Sequence, residues 1–213
     1  MKPNAKKCKV CKGEFWPRNT LQKVCGWECA IKETERENER KRRIESRENK
    51  RMQKDWKIKN DGKWSKSLLQ NKVNQIVRLI DSDLPCLATG QRGQIHAGHV
   101  FSRGAFPSLA FNLHNIHRQC AQSNHFQSDD IALREGVKRE YGDGYYDYLE
   151  SLKGFTLHLS PPERYEAYQR ACKGYKLIRD DMKNFETPVN WEQRIKYRSL
   201  ANDVIDLYPD YVI

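Results

Sequence analysis

No stretch of the 213 residues approaches the roughly 18 to 20 uninterrupted apolar residues that cross a bilayer, and the N-terminus lacks the apolar core of a signal peptide. A membrane-spanning or secreted class is therefore not expected, and the chain reads as cytosolic. There is no internal repeat and no Gly/Ser linker, so segment boundaries have to be drawn from changes in texture. Seven cysteines are an odd number, which argues against a full set of disulfides; in a reducing compartment their spacing favours metal binding. Nor is there an RNP-like or KH-like signature, which weakens an RNA-binding reading.

What the chain does have is an excess of positive charge in one place. The formal net charge is +11. Residues 1–66 carry 21 Lys and Arg against 10 Asp and Glu, so residues 67–213 hold 18 of each and net zero. A basic segment on a balanced chain is the footprint of a polyanionic partner, because each phosphate it neutralises releases condensed counterions. A solvated charged helix is the alternative.

Texture divides the chain into four segments: a cysteine module at 1–29, a charged arm at 30–66, a core at 67–153 and a helical region at 154–213. In the first, Cys8 and Cys11 are followed by Cys25 and Cys29. Two close thiol pairs can present four sulfurs to one tetrahedral ion, about 2.3 Å from each, and they leave no open coordination position. One structural zinc is expected, with a redox dithiol or chance pairing as alternatives. Lys6, Lys7, Lys9, Lys12, Arg18 and Lys23 surround it, and Phe15 and Trp16 are placed either to pack within it or to stack on bases.

The arm from Ala30 to Lys59 has almost no apolar residues but many Glu/Arg pairs at helical spacing, and Arg40, Lys41, Arg42 and Arg43 form its densest cationic run. It reads as an exposed helix, with disorder in the free chain as the alternative. Leu68, Leu69, Val73, Ile76, Val77 and Ile80 then recur with helical period, ended by Asp83, Leu84 and Pro85. From Cys86 to Asp130 the texture implies short strands, loops and a last helix. Ser160, Pro161, Pro162 and Glu163 form a helix start with a capping box, the helix running to about Asn184, and Thr187-Pro188 or Asn190 opens a final one.

Five of the six histidines lie between His96 and His125. Imidazole serves both as a base near neutral pH and as a ligand for a divalent cation, although a single histidine is usually a satisfied core residue. The segments Leu84-Pro85-Cys86, Ile95-His96-Ala97-Gly98-His99, Phe111-Asn112, Asn115-Ile116-His117, Gln119-Cys120 and Asn124, in this order behind a cysteine module and a charged helix, resemble the NinG family, also called Rap, of lambdoid phages, and within it the HNH nuclease motif. The likeness covers most of the chain and is most specific from Leu84 to Ser128.

The resemblance implies an α+β, mostly helical protein: an N-terminal zinc knuckle, a long charged helix, a small ββα-metal core and C-terminal helices. It implies a metal-dependent endonuclease of phage recombination acting on branched DNA such as D-loops and Holliday junctions, in the host cytoplasm. His99 matches the general base, Asn115 the loop asparagine that orients it, and His96 and Asn124 the ligands of a catalytic Mg2+ or Mn2+. Arg103 and Arg118 are further candidates for DNA contact. A homodimer and other recombination proteins are the partners it suggests besides DNA. His96 stands where such proteins usually show an acidic residue, which alters the charge and metal preference of the site. Related chains also carry two further Cys-x-x-Cys pairs holding a second zinc; here Thr89 and Ser123 replace one cysteine of each, so that zinc is expected to be absent, with Cys86, Cys120 and Cys172 as small core residues. Because of these departures a non-catalytic DNA-binding protein with a degenerate HNH fold is the competing expectation.

Overall fold

The computed structural model describes residues 4–125, 129–184 and 189–209, with the side chains of residues 125, 129 and 130 left out. It divides into two compact units, Met1–Trp56 and Lys57–Ile213.

In the first unit, β1 (Lys6–Lys7) and β2 (Glu14–Phe15) pair antiparallel, Lys6 opposite Phe15. The connection is a tight turn: Cys8 N–H donates to the Gly13 carbonyl at 2.8 Å and Lys12 N–H to the Cys8 carbonyl at 3.0 Å. Lys12 takes a left-handed φ of 66° to close it. Helix α1 (Trp27–Asn60) then runs for 34 residues without a single buried one, about 50 Å at 1.5 Å per residue. Its support is local. Arg43 pairs with Glu39 and Arg51 with Asp55 one turn away, exposed contacts worth a few tenths of a kcal/mol each.

The second unit holds the apolar core. Asp61 caps α2 (Gly62–Ile80) by accepting from Trp64 N–H at 2.9 Å, and Leu69, Val73, Ile76, Val77 and Ile80 form its buried stripe. A long loop leads to β3 (Ile95–His99), a connection with two 3₁₀ turns (Pro107–Leu109 and Leu113–Asn115), and β4 (Ile116–Cys120), which pairs antiparallel with β3. The register sets His96 opposite Gln119 and Gly98 opposite His117. Helix α3 (Ala121–His125) follows directly, then α4 (Asp129–Tyr141), α5 (Asp143–Ser151), α6 (Pro161–Met182) and α7 (Trp191–Ile205).

The capping box predicted at Ser160 is present: Ser160 N–H donates to Glu163 Oε2 at 2.7 Å and Glu163 N–H to Ser160 Oγ at 3.4 Å. Asn190 caps α7, while the alternative start at Thr187-Pro188 lies outside the described residues. Residues 154–213 do not keep a core to themselves. Ala167, Ala171 and Ile178 of α6 and Ile195, Ala201 and Ile205 of α7 are buried in one cluster with the α2 stripe and the hairpin residues Val100, Phe101 and Ile116. Cys172 is half-buried beside Tyr168 rather than in that core, because the small residues of α6 that face its partners are Ala167, Ala171 and Gly174. Among the described residues no helix is long and apolar enough to cross a membrane.

Candidate functional site

The four cysteines of the first unit converge. One ligand atom from each of Cys8, Cys11, Cys25 and Cys29 lies within 4.8 Å of the others, with Cys11 Sγ 3.6 Å from Cys25 Sγ and Cys25 Sγ 3.5 Å from Cys29 Sγ. Four sulfurs set tetrahedrally about 2.3 Å from one ion stand about 3.8 Å apart, so the cluster has the dimensions of a tetrahedral thiolate site. Burial opposes ionisation of Cys8, but N–H groups of Cys11, Val10 and Cys25 aimed at its sulfur bring it down to about 6. Cys29, then Cys11 and Cys8, crowd Cys25 and push its thiol up to about 12. Four such sulfurs ionise together only around a cation, and the donor set can hold a metal ion. Phe15 packs inside this module whereas Trp16 is 74% exposed, which settles which aromatic fills the core and which is free. Lys6, Lys7, Lys9, Lys12 and Arg18 are exposed around it, Lys9 paired with Glu33, and Arg40, Lys41, Arg42 and Arg43 are exposed on α1.

The second unit contains an open cleft of about 660 Å3 that His96, His99, Arg103, Gln119, Asn124 and Arg78 line together with residues of the hairpin and α2. Its lining includes no carboxylate among the described residues. At the end of β3 the His99 ring sits 3.0 Å (Nε2) from the Ala110 carbonyl oxygen. A carbonyl can only accept, so Nε2 carries the proton and Nδ1 keeps its lone pair. Burial, and after it the charge of Arg103 against the opposing hydrogen bond to Ala110, lower the His99 pKa to about 4, and the ring is neutral at physiological pH.

The amino-acid sequence over residues 1–179 matches the family described as Bacteriophage Lambda NinG protein. The chain belongs to the NinG family. It is 33% identical over 166 residues to Protein ninG of Escherichia phage 933W, covering 70% of this chain and 82% of that one, and 34% identical over the same length to Protein ninG of Enterobacteria phage H19B. Protein ninG of Escherichia phage lambda is 36% identical over 85 residues, 38% of this chain and 42% of its own. No solved structure matches.

Not every predicted residue of this NinG-family chain reaches the cleft. Asn115 is fully buried, and its side-chain hydrogen bonds go to backbone and not to the His99 ring. Its Oδ1 accepts from Phe101 N–H at 2.8 Å and its Nδ2 donates to the carbonyls of Phe101 and Leu109 at 3.0 and 3.2 Å. It therefore ties together the ends of the loop that carries Arg103 and leads to Ala110, and bears on His99 only through that backbone. His114 and His117 are core residues: His114 Nδ1 meets Tyr145 OH at 2.9 Å and His117 Nε2 the His114 carbonyl at 2.8 Å.

Arg118 is a correction. Its guanidinium is 4% exposed, bound to Glu140 (Nη1 to Oε1, 2.9 Å) and to the Pro85 carbonyl (2.7 Å), and Arg194 shares the same carboxylate. It is held away from the cleft by these bonds, whereas its neighbour Gln119 borders it. A cation so enclosed cannot contact DNA.

The expected remnant of a second metal site has a definite shape in this NinG-family chain. Cys86 N–H donates to the Gln91 carbonyl and Gly90 N–H to the Cys86 carbonyl, both at 2.8 Å, with Gly90 at φ 70°. This repeats the Cys8–Gly13 turn bond for bond. Cys120 N–H even points at Cys86 Sγ (3.2 Å) as Cys25 N–H points at Cys8 Sγ (3.4 Å). Thr89 Oγ1 lies 3.9 Å from Cys120 Sγ, and Ser123 Oγ is engaged by Gln119 Nε2 at 2.9 Å. Two thiols and two hydroxyls are a poor donor set for zinc.

Sequence reasoning missed Arg78 and Asn74. Both stand on the polar face of α2, where helical period marks them only as not core, and nothing local connects them with a hairpin twenty residues on.

Proposed function

We propose that this NinG-family chain is a metal-dependent DNA endonuclease of HNH type. The observation that carries the reading is the convergence of His99, with a free Nδ1 lone pair, and His96, Asn124 and Arg103 on one cleft lined without carboxylates, a lining suited to an anion. In the step proposed, Nδ1 of His99 takes a proton from water as the water oxygen bonds to phosphorus, and the phosphorus–oxygen bond to the departing sugar breaks. Burial is the main cause of the low His99 pKa, and a phosphodiester beside Arg103 would offset only the smaller part that this cation contributes, moving the pKa upward.

His96 and Asn124 are the residues to hold a divalent ion, which when bound would neutralise charge developing on the phosphate and the leaving oxygen. One imidazole nitrogen and one amide oxygen fit Mn2+ better than Mg2+, whose preferred donors are carboxylate and water oxygens. In the first unit the Cys8, Cys11, Cys25 and Cys29 cluster is read as a structural zinc knuckle, and its lysines with the cations of α1 as a sequence-independent DNA contact. Branched DNA as substrate, including D-loops and Holliday junctions, follows from the family likeness alone.

Purified protein and His99→Ala would be incubated with a four-way junction, a D-loop and linear duplex, with Mg2+, Mn2+ or EDTA. Cleavage of a branched substrate by the wild type alone, and only with metal, is the expected result. The absence of carboxylates from the cleft favours one other reading, a DNA-binding protein without catalysis; binding of the junction with no cut under any metal would establish it.

A further inference from the structure

Arg78 occupies the last turn of α2, exposed, with no hydrogen bond or ion pair among the described residues, and it lines the same cleft as His96 and His99. Asn74, one turn earlier on the same face, lines the cleft as well. The Asn74 amide oxygen accepts from Gln70 Nε2 at 2.9 Å, which leaves its NH2 group as the end free to donate. A guanidinium and an amide NH2 thus project from α2 into a cleft whose hairpin side supplies Arg103. In a chain whose last 147 residues balance 18 cations with 18 acids, two arginines in a carboxylate-free cleft are a local departure from neutrality. A planar guanidinium matches the paired oxygens of a phosphate, and its charge is not lost at any working pH.

We infer that Arg78, assisted by Asn74, grips a backbone phosphate of the bound nucleic acid within the cleft, so that α2 and the loop carrying Arg103 hold two phosphates of one strand. The inference rests on the reading of the cleft as a phosphodiester site. It makes Arg78 a positioning residue, holding the strand while His99 acts on it. The structural alternative is that Arg78 only offsets the dipole at the C-terminal end of α2.

The test measures DNA binding of the full chain by fluorescence anisotropy over a series of salt concentrations, in a His99→Ala background that leaves substrate intact, together with the melting temperature. Arg78→Gln is expected to lower the slope of log K against log salt by about one, the loss of one phosphate contact, with an unchanged melting temperature. Arg78→Lys should restore the slope but not the full affinity, and Asn74→Ala should weaken binding without altering the slope. Lys173→Gln on α6, the same charge change on an exposed residue away from the cleft, should leave the slope as it is. An unchanged slope for Arg78→Gln, with or without a lower melting temperature, would overturn the inference. The two readings fail separately: if the wild type cuts no DNA but Arg78→Gln still loses the slope, the phosphate grip stands and the endonuclease falls.

Discussion

The side chain of Gln119 lies over the α-carbon of Gly98, so closely that a Cβ on Gly98 would sit 2.0 Å from Gln119 Oε1 and 2.9 Å from its Cβ. The two are diagonal neighbours on one face of the β3–β4 hairpin, and the glycine between Ala97 and His99 leaves room for the carboxamide, whose Nε2 donates to Ser123 Oγ, to lie over β3 and border the cleft. Gly98→Ala must push Gln119 aside, including its less mobile Cβ. The expected cost is about 1–3 kcal/mol in urea unfolding, the usual range for overpacking, and, if the cleft cuts DNA as proposed, a loss of cleavage larger than the stability change explains. Full stability and activity in this variant would mean that Gln119 moves freely and has no part in shaping the cleft.

Asp81 and Arg198 are both without solvent exposure and meet at 2.7 Å (Oδ2 to Nη2), and Asp81 also accepts from Arg118 N–H at 3.0 Å. The pair joins the end of α2 to α7 and to β4. Asp81→Ala strands a buried guanidinium and is expected to cost about 3–5 kcal/mol, whereas Asp81→Leu with Arg198→Met should cost clearly less. Chemical denaturation of the three proteins gives the comparison; equal losses would show that shape rather than charge governs this contact.

Acid should weaken the second unit before its carboxylates titrate. Burial, then the charge of Arg198, lower the His114 pKa to about 3 and that of His117 well below its ordinary value of 6.5, and His99 is at about 4. These rings are neutral when folded and become charged when unfolded, so the unfolded chain binds more protons below 6.5. Stability is thus level above about pH 6.5 and falls as pH drops from there toward 4.5, at about 1.4 kcal/mol per pH unit for each histidine once its unfolded form is charged. His114→Gln should reduce that slope by one histidine's share. A stability that stays level down to pH 4.5 would contradict the burial of these rings.

If the cysteine cluster is the zinc knuckle and DNA contact proposed above, metal analysis should find one zinc per chain, removed by Cys8→Ser with Cys11→Ser, and DNA affinity should fall with it. The unfolding transition of the second unit should survive, since its core contains no residue of the cysteine module. Because the Cys86–Gln91 turn already has the hydrogen bonds of the Cys8–Gly13 turn, Thr89→Cys with Ser123→Cys should raise the zinc content to two. A content that remains at one would show that the two introduced thiols cannot turn toward the same ion as Cys86 and Cys120.

Local chemistry made part of this protein legible in its residues alone. The cap at Ser160, the two close thiol pairs of the cysteine cluster and the helical period of the α2 stripe each depend on spacing between near neighbours in the chain, so spacing makes them legible. The long helix was legible too, because Glu and Arg at i and i+4 support it without any partner. The meeting of His96, His99 and Asn124 at one cleft agreed with a motif rather than with any physical calculation from sequence. What only the tertiary structure decided is which polar groups the core takes in. Arg118 and Arg103 look alike in sequence, yet one is locked to Glu140 and the other borders the cleft beside His99, since a carboxylate 22 residues away determines the outcome. His114 and His117 likewise went to the tyrosines of α4 and α5 rather than to the site. Arg78 entered the cleft because α2 packs its apolar face on the core and turns its polar face to the hairpin, a consequence of packing between elements that no spacing along the chain contains.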